Sequence, residues 1–153
     1  MAIRRIILGL DGSEGSAHAC RWCAELAARL SAEVIAVHAT DFPPYPIIEY
    51  EGVRPVRAGV SPEIIERWQD DQQVLLEDDW CRPLRDAQVR HRAVLLPGHP
   101  APAIMDIASR EDADLIVVGS RGLGGFRELL LGSVSHQLTQ HAGRPVVVVP
   151  AAR

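Results

Sequence analysis

The chain has 153 residues, within the about 100–200 typical of one domain, and 47% of them are hydrophobic, enough for a substantial core. Its formal charge of −4 argues against a nucleic-acid binder or a membrane anchor working through a basic surface. All 16 basic residues are arginine, so a P-loop lysine, a Schiff base and any lysine-based catalysis are excluded.

The N-terminus Met1-Ala2-Ile3-Arg4-Arg5 leads into the run Ile6 to Leu10. That run is shorter than a secretory h-region of about 7–15 residues, and no cleavage site follows. No stretch approaches the ~20 apolar residues of a membrane span. A soluble, cytoplasmic protein is expected. Three cysteines are an odd number and do not suggest a disulfide scaffold.

Ile3 to Leu10, closed by Asp11-Gly12-Ser13, predicts a buried strand. A helix is expected from Glu14 to Ser31, capped by Ser13, with Ala19, Trp22, Cys23, Leu26, Ala27 and Leu30 at helical spacing. Glu33 to Ala39 reads as a second strand. Residues 41–60 break every period, with Pro43, Pro44, Pro46, Pro55 and both tyrosines. A structureless segment of that length is expected to be a lid or a mobile insertion. Ser61-Pro62-Glu63 opens a further helix. Its stripe is Ile64, Ile65, Trp68, Leu75, Leu76, Trp80, Leu84 and Ala87, kinked or divided at Pro83. Ala93 to Leu96 is a third strand. Pro100 to Arg110 is a helix with Ile104, Ile107 and Ala108 inward. Asp114 to Val118 is a fourth strand, followed by a glycine-rich loop to Gly132. A helix from Ser133 to His141 and a strand from Val146 to Val149 complete the chain.

Strands alternate with helices throughout. The expectation is one α/β domain over 1–153: a doubly wound, five-stranded parallel sheet of order 3-2-1-4-5 with helices on both faces. In such sheets ligands bind beyond the carboxyl ends of the strands, where the order reverses. Two polar, glycine-bearing loops meet there: Asp11-Gly12-Ser13, and Gly119-Ser120-Arg121-Gly122. Gly119, Gly122, Gly124 and Gly125 permit close backbone approach. Gly132-Ser133-Val134-Ser135 then opens a helix whose free N–H groups attract phosphate. Arg121 and Arg127 are available to add charge.

The spacing Gly119-x2-Gly122-x9-Gly132-Ser133 resembles the nucleotide-binding signature of the universal stress protein family, in its ATP-binding branch. Asp11-Gly12-Ser13, Gly98-x-Pro100 with Ile104 and Ala108, Asp114 to Gly119, and Pro145 to Val149 resemble further parts of that pattern. The likeness covers nearly all of the chain except 41–60, where members vary. It implies an adenine nucleotide, ATP with Mg2+, held at Asp11, Gly12, Ser13, Val37, Gly119, Gly122, Gly132, Ser133, Val134 and Ser135. Asp11 would lie near the ribose. Val37 and its neighbours would meet the adenine through backbone groups. His38 would either stack on the ligand or only end its strand. No protein metal ligand is identified beyond Asp11, which is the single candidate.

Other motifs carry less. The first turn lacks the G-x-G-x-x-G of a dinucleotide fold. Cys20-x-x-Cys23 lies two turns inside a helix and reads as core packing rather than a redox pair. Asp70-Asp71 and Glu77-Asp78-Asp79 read as a solvated helix face. Val146 to Val149 is an apolar edge strand, which invites a two-fold homodimer. The function expected is a nucleotide-binding stress-response regulator or sensor rather than a dedicated enzyme. The alternatives are a slow ATPase or ATP-using transferase, and an interaction module with incidental nucleotide binding.

Overall fold

Apolar, β-branched runs buried on both faces produce a parallel sheet, because crossover helices cover each side. The computed structural model describes residues 2–40, 47–48, 56–57, 61–123 and 131–151. In chain order the elements are β1 (Arg5–Gly9), α1 (Glu14–Leu30), β2 (Glu33–Thr40), β3 (Ile47–Ile48), β4 (Val56–Arg57), α2 (Pro62–Val74), a π-helical turn (Leu75–Trp80), α3 (Arg82–Asp86), β5 (His91–Pro97), α4 (Pro100–Arg110), β6 (Leu115–Gly119), α5 (Ser133–His141) and β7 (Val146–Val149). The main sheet has the order β5-β2-β1-β6-β7, all parallel. It is the expected 3-2-1-4-5 arrangement.

β1 is the centre. Ile7 stands in register with Ile35 on one side and Ile116 on the other. Alternate residues feed two cores. Ile6, Leu8, Val34 and Ala36 pack with α1, α3 and the π-helical turn. Ile7, Ile35, Val37 and Ile116 pack with α4 and α5. Ile104, Ile107 and Ala108 face inward as expected. Ser13 caps α1 by accepting from the Ser16 N–H at 3.1 Å. Three buried cysteines fill the first core, and burial pushes the thiols of Cys20 and Cys23 up to about 12. The C-x-x-C is packing, as its place in the helix predicts.

The long helix departs from expectation. It divides before Pro83, at Cys81, after the π-helical turn closed by Cys81 N–H to Leu76 O at 3.0 Å. One extra residue in that turn shifts the helical phase. Leu76 and Leu84 are fully buried as expected, while Ile64 and Leu75 of the expected stripe are exposed, and Ala87 also. On α1, Trp22 and Leu30 are likewise exposed, and Cys20 and Ala24 take the inner face. Within 41–60, Ile47–Ile48 and Val56–Arg57 pair antiparallel, a short ladder that the proline pattern hid. The rest of that segment, and with it the lid expectation, lies outside the described residues.

Asp114 fixes the starts of β1 and β6 to each other. Its carboxylate accepts from the backbone N–H groups of Arg4 at 2.8 Å and Arg5 at 3.0 Å. Those two bonds hold its carboxyl below the usual carboxylate range. A depressed folded-state pKa stabilises the fold above the unfolded value and is lost as pH falls through the folded one. Asp114→Asn should therefore lower stability near neutrality and flatten the acid limb below about pH 4. Urea midpoints measured from pH 7 to pH 2.5 check this; parallel curves for the two proteins would refute it.

Candidate functional site

The sheet splits at the carboxyl ends of β1 and β6, and a cavity of about 400 Å³ opens there. Its apolar wall comes from Leu10, Val37, Ala39, Ile104, Val118 and Val134. Its polar end comes from Asp11, Arg121, Gly122, Gly132, Ser133 and Ser135. A cavity of this size with an apolar body and few polar groups is the usual form of a small-molecule site.

Glycines bring the two loops together. A Cβ on Gly119 would stand 2.8 Å from the Gly15 carbonyl, and one on Gly15 would stand 2.5 Å from the Arg121 carbonyl oxygen. Real Cβ atoms do not approach backbone so closely, so α1 can begin against β6 only with glycine at both positions. Asp11 then spans the gap. Its Oδ1 accepts from the Ser13 N–H at 3.0 Å and the Ser13 hydroxyl at 2.5 Å. Its Oδ2 accepts from the Leu123 N–H at 3.2 Å. A Cβ on Gly122 would fall onto that same Oδ2.

The two helix N-termini differ. Ser13 occupies the first turn of α1. α5 starts at Gly132 with no side-chain cap, and its first turn, Ser133 to Ser135, lines the cavity. Uncapped N–H groups and the helix dipole make that turn an anion site. Arg121 lines the same end, and its Nε is buried with no hydrogen-bond partner among the described residues. A phosphate fits both features.

Eight of the expected residues share this cavity: Asp11, Val37, Gly119, Gly122, Gly132, Ser133, Val134 and Ser135. Gly12 and Ser13 do not line it. Gly12, at φ +77°, lies against Trp80, and Ser13 holds Asp11 and caps α1. The Ser135 hydroxyl is buried and donates to the carbonyls of Ser120 at 3.0 Å and Gly132 at 3.1 Å, so it locks the turn. His38 points away from the cavity. Its Nδ1 bonds the Leu10 carbonyl at 2.8 Å, and its ring meets Trp80 edge-on.

Sequence reasoning missed Leu10, Ala39, Ile104 and Val118 as wall residues. Strand alternation from Val37 would have found Ala39. Val37 O is bonded by the Leu10 N–H at 2.8 Å. Residues 37 and 39 turn their backbone toward the β1 side, and β1 has ended by Ala39. Gly124, Gly125 and Arg127 lie outside the described residues. Asp70, Asp71, Glu77, Asp78 and Asp79 are exposed, and no metal-holding group of acids, histidines or cysteines occurs among the described residues.

The Asp11 bridge predicts an order of effects. Gly122→Ala should displace the carboxylate and cost about 1–3 kcal/mol. Gly132→Ala meets only contacts at 3.4–3.6 Å and should cost less. Urea denaturation of both variants tests this, and an equal or reversed order would show that Asp11 gives way freely.

The chain matches the Universal stress protein family over residues 2–150. It is 30% identical to the Universal stress protein MJ0531 of Methanocaldococcus jannaschii, over 95% of this chain and 81% of that one. It is 30% identical to the Universal stress protein YxiE of Bacillus subtilis, over 95% and 97%. Among solved structures, a universal stress protein in complex with cAMP superimposes with a TM-score of 0.72 at 22% identity, over 99% of this chain and 100% of that one. A universal stress protein family protein of Arabidopsis thaliana with AMP bound gives 0.64 at 20% identity, over 97% and 92%. The fold is shared with both. The match along residues 2–150 makes this chain a member of the Universal stress protein family.

Proposed function

We propose that this chain is a stress-response regulator or sensor that binds an adenine nucleotide, ATP with Mg2+ in its working form, through one domain spanning residues 1–153. The observation that carries the reading is an apolar slot ending on an uncapped helix turn. Leu10, Val37, Ala39 and Ile104 form walls suited to a flat base. The backbone of Ala39, past the end of β1, is placed to read the base edge. At the other end the first turn of α5 and Arg121 suit a phosphate chain. Asp11, beside Gly122 at the same polar end, would lie near the ribose. The complexes of relatives with cAMP and AMP support an adenine nucleotide in such a slot. Asp11 is the one carboxylate lining the cavity among the described residues, so a Mg2+ ion would take its remaining ligands from phosphate and water. Both Asp11 oxygens already accept hydrogen bonds, which suits binding and sensing better than base catalysis.

Calorimetric titration with ATP, AMP and cAMP, with and without Mg2+, tests this reading. Adenine nucleotides should bind, guanine nucleotides should not, and nucleotide at 100 times its Kd should add about 2.7 kcal/mol of stability. Asp11→Ala should weaken binding. Absence of binding by every adenine nucleotide would overturn the reading.

We also propose a homodimer through Val146 to Val149. The carbonyls of Pro145 and Val149 accept from the Ile116 and Ser120 N–H groups, so Val146 and Val148 turn their backbone outward at the sheet edge. Val148→Pro should remove an outward donor and leave the β6 ladder intact. Sedimentation should show a dimer that this variant converts to monomer; a monomeric parent chain would refute the interface.

A further inference from the structure

The turn that carries Asp11 is held from the side that the cavity does not touch. Trp80 ends the π-helical turn, and its six-membered ring lies flush on Gly12. A Cβ there would stand 2.5 Å from Cζ2, 3.1 Å from Cε2 and 3.2 Å from Cη2. The His38 ring meets Trp80 edge-on, with centroids 4.9 Å apart and planes at 87°. A carbonyl only accepts, so His38 Nδ1 carries the proton and donates to Leu10 O at 2.8 Å. The Trp80 carbonyl accepts from the Cys20 thiol at 3.3 Å, which ties the same residue to α1. Leu10 and Gly12, on either side of Asp11, are thus each gripped by one member of an aromatic pair.

The π-helical turn makes this possible. Its bond from Cys81 N–H to Leu76 O stacks two fully buried residues five positions apart on the inner face. Trp80 is left at the rim, half-buried, where it reaches Gly12. Such turns are rare and concentrate at functional sites.

We infer that Trp80 and His38 are positioning residues for the nucleotide cavity: together they set the Leu10–Gly12 turn, and through it the Asp11 carboxylate. The inference rests on the nucleotide reading above for its ligand, and on the packing alone for its mechanism. Loss of either side chain frees the turn, so Asp11 no longer holds the N–H groups of Ser13 and Leu123. Binding then requires the turn to be ordered first.

The test uses the full chain, with AMP as the probe. Trp80→Leu and His38→Leu should each weaken AMP by about three- to tenfold. In nucleotide-free protein they should speed hydrogen exchange at the Ser13 and Leu123 amides and leave the β5 amides of Arg92 and Val94, which face β2, unchanged. Trp80→Phe keeps a ring against Gly12, and His38→Asn keeps a donor for Leu10 O; both should recover most of the affinity. Unchanged exchange at Ser13 and Leu123 in the leucine variants overturns the inference, and so does AMP affinity equal to that of the parent chain. His38→Leu carries the test should Trp80→Leu not fold. Faster exchange in the variants beside a parent chain that binds no AMP would uphold the positioning and overturn the nucleotide reading.

Discussion

The rest of the site depends on one close approach, the first turn of α1 against the end of β6. Gly15 and Gly119 meet there with no room for a methyl group on either. β1 and β6 are neighbours, but the chain returns from β1 to β2 on one side and from β6 to β7 on the other, with α1 and α5 packed on opposite faces of the sheet, and such divergence opens a crevice. Here the glycine contact draws the two loops close enough for one carboxylate to span them. Asp11 is then fixed from both sides, by Ser13 of its own turn and by Leu123 of the other.

Electrostatics follow from the same approach. Two helix N-termini converge on the crevice, and each brings unpaired N–H groups. Ser13 satisfies the first turn of α1, and the Asp11 carboxylate lies beside it. α5 has glycine at its cap and keeps its donors free of any side chain. α5 and Arg121 thus bring positive charge, and Asp11 a carboxylate, to the polar end of the cavity.

The sheet order and the polar end of the cavity were legible because their signals are local. Short branched runs bounded by Gly and Pro mark strands, and glycine loops beside helix starts mark the crevice. Asp11, Gly122 and Gly132 share the cavity for that reason. The π-helical turn was not legible. One added residue shifts the phase of the helix, and no residue type in Leu75–Trp80 announces it. Leu75, at the start of that turn, was placed inward although it is exposed, and Trp80 was read as one more stripe residue. Gly12 was read by its motif as a ligand residue, although its closest neighbour is an indole from another helix. Ser135 offers a hydroxyl in the sequence that two backbone carbonyls engage in the fold. The contact of Gly12 with Trp80 joins residues far apart in the chain, which periodicity does not encode.

β2 joins the two halves of the structure. Its odd residues, Val37 and Ala39, face the cavity, and the even residue His38 faces Trp80. Strand alternation keeps the cavity and the aromatic pair on opposite faces of β2. They are nonetheless linked through a single residue. Leu10 donates its N–H to Val37 O and receives the His38 proton on its own carbonyl oxygen. Its side chain also lines the cavity. A shift of Leu10 must therefore lengthen a bond on one face or the other, and Asp11 is the next residue in the chain. The cavity wall, the aromatic pair and the carboxylate that bridges the loops cannot move independently, because they meet at the backbone of Leu10.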